Sequence, residues 1–255
     1  MSGRLAGKVA IVTGAGSRGP GLGNGKATAI LFAREGARVL CVDQVRERAE
    51  ETVGLVRAER GEAEAFVADV TRAADCEAMV QAAIGRWGGL DALHNNVGIE
   101  SRKDLLDTTE EEWDQVMTVD LKSMFLATRA AVPALIERGG GAITCVSSVA
   151  ALRGHGRTAY AAAKGGVIGF VRSVAVQLGP KGIRVNAIAP GTVWTPMVED
   201  LGPEARERRR RASPLATEGT GWDVAWGAVY LASDESRWVT GQVLVIDAGL
   251  SMTTR

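Results

Sequence analysis

Cysteine is scarce: the chain of 255 residues has three, Cys41, Cys76 and Cys145, odd in number and far apart. They form no CxxC-type ligand spacing, so they read as buried small hydrophobes of a reducing compartment, not as a disulfide or metal framework. An excess of charge of one sign is also missing. Thirty basic residues balance thirty acidic ones, so no global field draws the chain to nucleic acid or to an anionic membrane. No charged-then-apolar leader opens the sequence, and no apolar run approaches the ~18 residues of a membrane span. Repeats and low-complexity tracts are lacking too. These absences leave a cytoplasmic protein acting on small molecules, with no metal and no nucleic-acid or membrane partner.

What is there is an alternation. Short apolar runs at 8–14, 38–43, 64–70, 90–98, 140–148, 183–191 and 241–249 read as strands. Helical periods at 25–37, 46–61, 75–89, 109–137 and 159–179 separate most of them. Strands joined by such helices predict right-handed βαβ units: a doubly wound, seven-stranded parallel sheet of the Rossmann α/β class. The length suits one domain over 1–255. Only about 192–220 shows no clear period.

The stretch TGAGSRGPGLGNGKATA (13–29) follows the first strand and opens the first helix. Glycines at a helix N-terminus let a phosphate approach unpaired N–H groups at the positive end of the dipole. Asp43 closes the second strand, 18 residues beyond Gly25. A carboxylate there can bind both ribose hydroxyls of an adenosine and repels a 2′-phosphate, which favours NAD over NADP. Arg18, in the glycine turn, argues the other way.

Further along stand SS at 147–148, then Tyr160 and Lys164 in AYAAAK, four apart and so on one helix face. With NNVG (95–98), ADV (68–70), VNAIAPGTVWTPM (185–197) and ASDESRWVTGQVLVIDAG (232–249), they fall in an order that resembles the short-chain dehydrogenase/reductase family over essentially the whole chain.

The resemblance implies an NAD-dependent oxidoreductase, usually a homotetramer, that interconverts a secondary alcohol and a ketone. Tyr160 would exchange the proton. Tyrosine is a poor base at neutral pH, but a neighbouring ammonium and a positive nicotinamide favour its phenolate. Lys164 would supply the ammonium and hold the nicotinamide ribose. A spacing of thirteen before Tyr160 selects Ser147. Aligning strand and turn selects Ser148, with one residue missing from the loop, and loops lose residues more easily than strands slip. Ser148 is therefore the expected donor to the substrate oxygen. Where the family often has an asparagine as a fourth member, this chain has Asp120.

For the cofactor, the family pattern TGxxxGxG fits Gly14, Gly23 and Gly25 with about five extra residues between them, and Ser17, Arg18 and Asn24 join the pyrophosphate turn. A second register would use Gly21-Leu22-Gly23. The resemblance places Asp69 and Val70 near adenine, and Asn96, Val97 and Gly98 beside the ribose. It places Pro190, Gly191, Val193 and Thr195 around the carboxamide.

In the family, about 192–220 is a variable lid over the substrate. Here it holds five arginines in six residues, 206–211. Such a run is usually a solvated helix face; the functional alternative is an anionic substrate or an acidic carrier protein. Arg153, His155 and Arg157 fall where the family lines its pocket. Trp194 either walls that pocket or packs on the lid, and His94 is expected as a satisfied core histidine. Two rival functions stand beside the main one: an NADPH-linked 3-oxoacyl carrier reductase and a non-catalytic dinucleotide-binding regulator.

Overall fold

A computed structural model describes residues 3–253. Seven strands form one parallel sheet: β1 (Val9–Thr13), β2 (Arg38–Asp43), β3 (Glu62–Val67), β4 (Ala92–Asn95), β5 (Gly141–Val146), β6 (Ile183–Pro190) and β7 (Val243–Ile246). Their order is β3-β2-β1-β4-β5-β6-β7. The chain reverses its winding between β1 and β4, and at such a switch point a crevice opens beyond the carboxyl ends of the strands.

Period-two alternation sorts the strand side chains between two layers. Val9 and Ile11 of β1, with Leu40 and Val42 of β2, pack beneath α3 (Ala73–Trp87), α5 (Ser123–Glu137) and α6 (Thr158–Leu178). Ala10 and Val12, with Val39 and Cys41, pack beneath α1 (Asn24–Arg34), α2 (Arg46–Ala58) and α8 (Gly221–Ala232). The sheet is thus covered on both faces, which is why its strands read as continuous apolar runs. The three cysteines are free and buried. Burial pushes the thiols up, to about 12 for Cys41 and Cys145 and to about 11 for Cys76.

Several elements depart from the sequence reading. The third strand lies at 62–67, not 64–70, and the fourth shrinks to 92–95. The 109–137 helix is continuous but uneven: α4 (Glu110–Met117) passes through a π-helical turn, Thr118–Lys122, into α5. Inside 192–220 lies α7 (Gly202–Arg211). Its charged residues carry no apolar period, so no periodicity marks it. Helix α8 (Gly221–Ala232) has no counterpart in the sequence pattern. It is buried along most of its length against α1 and β6, so its apolar residues do not form one stripe.

Candidate active site

The carboxyl ends of the strands frame a cavity of about 470 Å³. Its first wall is the glycine turn. Helix α1 begins at Asn24, with Gly23 in the extended N-cap position and no side chain capping it. Gly25 sits so close to β1 that a Cβ there would lie 2.0 Å from the Gly14 carbonyl oxygen. Such a close approach is what the register using Gly14, Gly23 and Gly25 asks of its last glycine, and Leu22 packs against the buried cluster under α1. Ser17 Oγ accepts from the Gly23 N–H at 2.9 Å, folding the extra residues back on the helix start. Arg18 is exposed and donates to the Gly98 carbonyl at 3.3 Å, bridging from the turn to the end of β4.

Asp43 ends β2 beside this turn. Its carboxylate accepts from the Gly16 N–H at 3.1 Å and the Val45 N–H at 3.0 Å. A Cβ on Gly16 would stand 2.8 Å from that carboxylate and 2.4 Å from Arg48 Cβ, so only glycine fits. An uncapped helix start with no acidic residue in its first turn, next to a strand-end carboxylate, fits a dinucleotide: pyrophosphate at α1, ribose hydroxyls at Asp43. Across the switch point, Asn96 Nδ2 donates to the carbonyls of Thr13 and Gly14 at 3.3 and 3.1 Å, tying β4 to β1. Val97 and Gly98 continue that wall. Asp69 and Val70 line the cavity too, the Asp69 carboxylate being held by the N–H and hydroxyl of Thr71. Pro190, Gly191, Val193 and Thr195 close the far side.

The floor is built by α6. Tyr160 and Lys164 lie one turn apart on it, with the ammonium 5.6 Å from the centre of the phenol ring. Lys164 Nζ stands 3.1 Å from Asp120 Oδ2 and donates to the Val146 carbonyl at 3.1 Å. Burial pulls the ammonium pKa down, but Asp120 and the Tyr160 phenol outweigh it and hold it above the ordinary lysine value. Asp120 is fully buried in the π-helical turn, and its Oδ1 accepts the Ile99 N–H at 2.8 Å. A π turn bulges one residue out of the helical run and commonly marks a functional site. Gly98 leaves room for this pair: a Cβ there would lie 3.1 Å from both charged atoms.

The two serines separate cleanly. Ser147 is buried and donates to the Lys164 carbonyl at 2.8 Å. Ser148 is half-buried on the cavity wall, and among the described residues its Oγ accepts only a local N–H, from Ala150 at 3.1 Å.

His155 and Arg157 also line the cavity, but Arg153 does not. Its guanidinium turns to the C-terminal segment, donating to the Leu250 carbonyl at 2.8 Å. Trp194 is off the wall and stacks under the Arg206 guanidinium at 5.1 Å, so it packs on the arm 192–220. His94 is a core residue, edge-on to Phe32 at 6.2 Å, but it is not satisfied: neither ring nitrogen has a hydrogen-bond partner among the described residues. Burial drives its pKa down to about 3. Among the wall residues that sequence reasoning missed are two charged ones, Arg48 and Glu100. Arg48 lies in the first turn of α2, just past the Asp43 strand end, and that placement was a readable signal. Glu100 carried none, because its partner Arg157 is 57 residues away.

A Rossmann sheet with a glycine-turn phosphate wall and a tyrosine–lysine floor defines a dinucleotide-dependent oxidoreductase. The model of the family described as Enoyl-(Acyl carrier protein) reductase matches residues 21–251. The chain is 42% identical over 248 residues to 3-oxoacyl-(acyl-carrier-protein) reductase FabG of Thermotoga maritima, covering 97% of this chain and 99% of that one. It is 38% identical over 260 residues to levodione reductase of Leifsonia aquatica, covering 97% and 96%. A solved 7α-hydroxysteroid dehydrogenase, complexed with NADH and 7-oxo glycochenodeoxycholic acid, superposes with a TM-score of 0.90 at 33% identity, covering 96% of this chain and 95% of that one. The chain belongs to the short-chain dehydrogenase/reductase family. It is an oxidoreductase that takes a nicotinamide dinucleotide and a small-molecule substrate. No helix among the described residues is long and apolar enough to cross a membrane.

Proposed function

We propose that the protein is an NAD(H)-linked dehydrogenase interconverting a secondary alcohol and a ketone. The observation that carries this reading is the buried Lys164 ammonium, paired to Asp120 and set beneath Tyr160. Bound NAD supplies the hydride acceptor. Tyr160 takes the hydroxyl proton of the alcohol at its phenol oxygen, helped by the positive charge of Lys164. Ser148 donates to the same substrate oxygen and stabilises charge developing there. Lys164 also holds the nicotinamide ribose, and Asp120 keeps the ammonium charged and in place. Asp43 takes the adenosine ribose hydroxyls, and its negative charge disfavours a 2′-phosphate. The arm 192–220 lies over the substrate. A cytoplasmic homotetramer is the assembly we assign.

A second reading is an NADPH-linked 3-oxoacyl carrier reductase. The likeness to FabG favours it, as does Arg48 on the wall beside Asp43, since a guanidinium there suits a 2′-phosphate.

Titration of NAD(H) against NADP(H) by intrinsic fluorescence, on wild type and Asp43→Ala, separates the two. A strong NAD preference that collapses in the variant supports the first and directs the search to a panel of secondary alcohols. A preference for NADPH supports the second. Tight NAD binding without turnover across that panel returns the non-catalytic regulator.

A further inference from the structure

Four of the five arginines of α7 are matched by surface carboxylates. Arg206 pairs with Glu218, Arg208 with Glu204, and both Arg210 and Arg211 with Glu207. Arg209 has no carboxylate partner among the described residues. It turns the other way, onto the cavity wall. There its Nη2 donates to the Val193 carbonyl at 3.3 Å, and its own carbonyl accepts the Thr192 hydroxyl at 3.3 Å. Its Nε is buried and has no hydrogen-bond partner among the described residues. Buried donors are nearly always satisfied, and an orphan asks for an explanation.

The neighbouring cations do not share this condition. Arg157 pairs with Glu100; Arg102 pairs with Glu100 and, at 2.8 Å, with Asp200. Those two cations and two anions cancel. Unlike these two neighbours, Arg209 is left on the cavity wall without a compensating carboxylate among the described residues. Burial, then the charges of Arg157 and Arg102, push its pKa down. The nearby His155 is held below its ordinary value by burial and by the charges of Arg153 and Arg209.

We propose that Arg209 anchors an oxyanion on the substrate, so that the enzyme acts on hydroxy or oxo compounds carrying a carboxylate or a similar acidic group. The anchor rests on the oxidoreductase reading above and adds the substrate class. The guanidinium is a planar fork of donors suited to a carboxylate, and no carboxylate of the described residues occupies it on this cavity wall. An acidic carrier protein would instead use the outer arginines, and these already hold glutamates of the same chain.

The test compares 4-hydroxypentanoate with its methyl ester, a matched pair of secondary alcohols that differ in the charge. Wild type is expected to favour the carboxylate in kcat/KM by about tenfold or more. The ratio should fall towards one in Arg209→Ala and recover in part in Arg209→Lys, which keeps the charge without the fork. It should be preserved in Arg208→Ala, whose side chain points to solvent. An equal ratio in wild type and Arg209→Ala overturns the anchor. Turnover of neither alcohol counts against the dehydrogenase reading, and glutarate binding by calorimetry then decides the anchor alone. Binding lost in Arg209→Ala supports it; binding absent from wild type, or equal in the variant, overturns it.

Discussion

On the cavity floor, Lys164 and Asp120 pair with side chains 4% and 0% exposed; on the arm, Arg208 and Glu204 pair at 73% and 93%. The floor pair is held from several sides: Val146 takes the ammonium, Ile99 donates to the carboxylate, and α6 and the π-helical turn fix both backbones. The arm pair hangs from one helix and is open to water. Removing one member of a buried pair strands the other charge away from solvent. Removing one member of an exposed pair lets water take its place. A count of charges treats the two regions as equals; burial separates them, and it makes the floor a machine and most of the arm a solvated face.

The comparison is put under most strain by Tyr160→Phe. It leaves the floor packed and removes only the phenol oxygen, and turnover is expected to fall by at least about 10³-fold, near 4 kcal/mol of barrier. Dinucleotide binding, read by fluorescence, should persist. Retained activity would end the assignment of Tyr160 as the proton-transfer group.

Asp120 comes next. Asp120→Ala strands the Lys164 ammonium and is expected to cost about 3 kcal/mol of stability in denaturant unfolding. Asp120→Asn still accepts the Ile99 N–H and should cost less. Because the folded pKa of Lys164 lies above the ordinary 10.5, its pairing contributes fully below that pH and fades as pH rises through the folded value. The gap between wild type and Asp120→Ala should therefore be widest near neutrality and narrow in alkali. A gap independent of pH would mean that Asp120 fills space and does not balance charge.

His94 is a buried group with neither region's compensation. Its folded pKa of about 3 lies below the ordinary 6.5, so the unfolded chain binds a proton that the folded one refuses. Its contribution is whole above about pH 6.5 and is lost as pH falls towards 3, amounting to about 2 kcal/mol at pH 5. His94→Leu removes both unpaired nitrogens at similar volume and should cost under about 1.5 kcal/mol at pH 7. Its melting temperature should fall less than that of wild type between pH 7 and pH 5. Parallel curves would place the acid sensitivity elsewhere.

The same contrast governs what could be read from sequence. The floor was legible because its parts are local: Tyr160 and Lys164 share a helix face by spacing alone, and Ser148 follows from the strand that carries it. The sheet was legible because strands covered on both faces are apolar throughout. The arm was not, because its outer charges pair within the arm while the link that ties it to the cavity rim comes from far along the chain. Asp200 of the arm finds Arg102 across 98 residues, and beside it Arg157 finds Glu100 across 57. Nor does the run of arginines disclose that Arg209 alone turns inward, since that depends on how α7 seats against Val193 and Thr192. Helix α8 escaped for the opposite reason: buried almost all round, it has no polar face to set a period.

The smallest effect belongs to the outer arginines. Arg208→Ala removes one end of a 3.9 Å pair with Glu204 on an open helix surface. Exposed i,i+4 pairs are worth about 0.3–0.5 kcal/mol and are screened by salt. Chemical denaturation should show a change no larger than this at low salt and none that can be measured at high salt. A loss of 2 kcal/mol or more, persisting in salt, would mean that Arg208 is buried against something in the working protein. The division between a buried floor and a solvated arm would then have to be redrawn around an interface that one chain does not display.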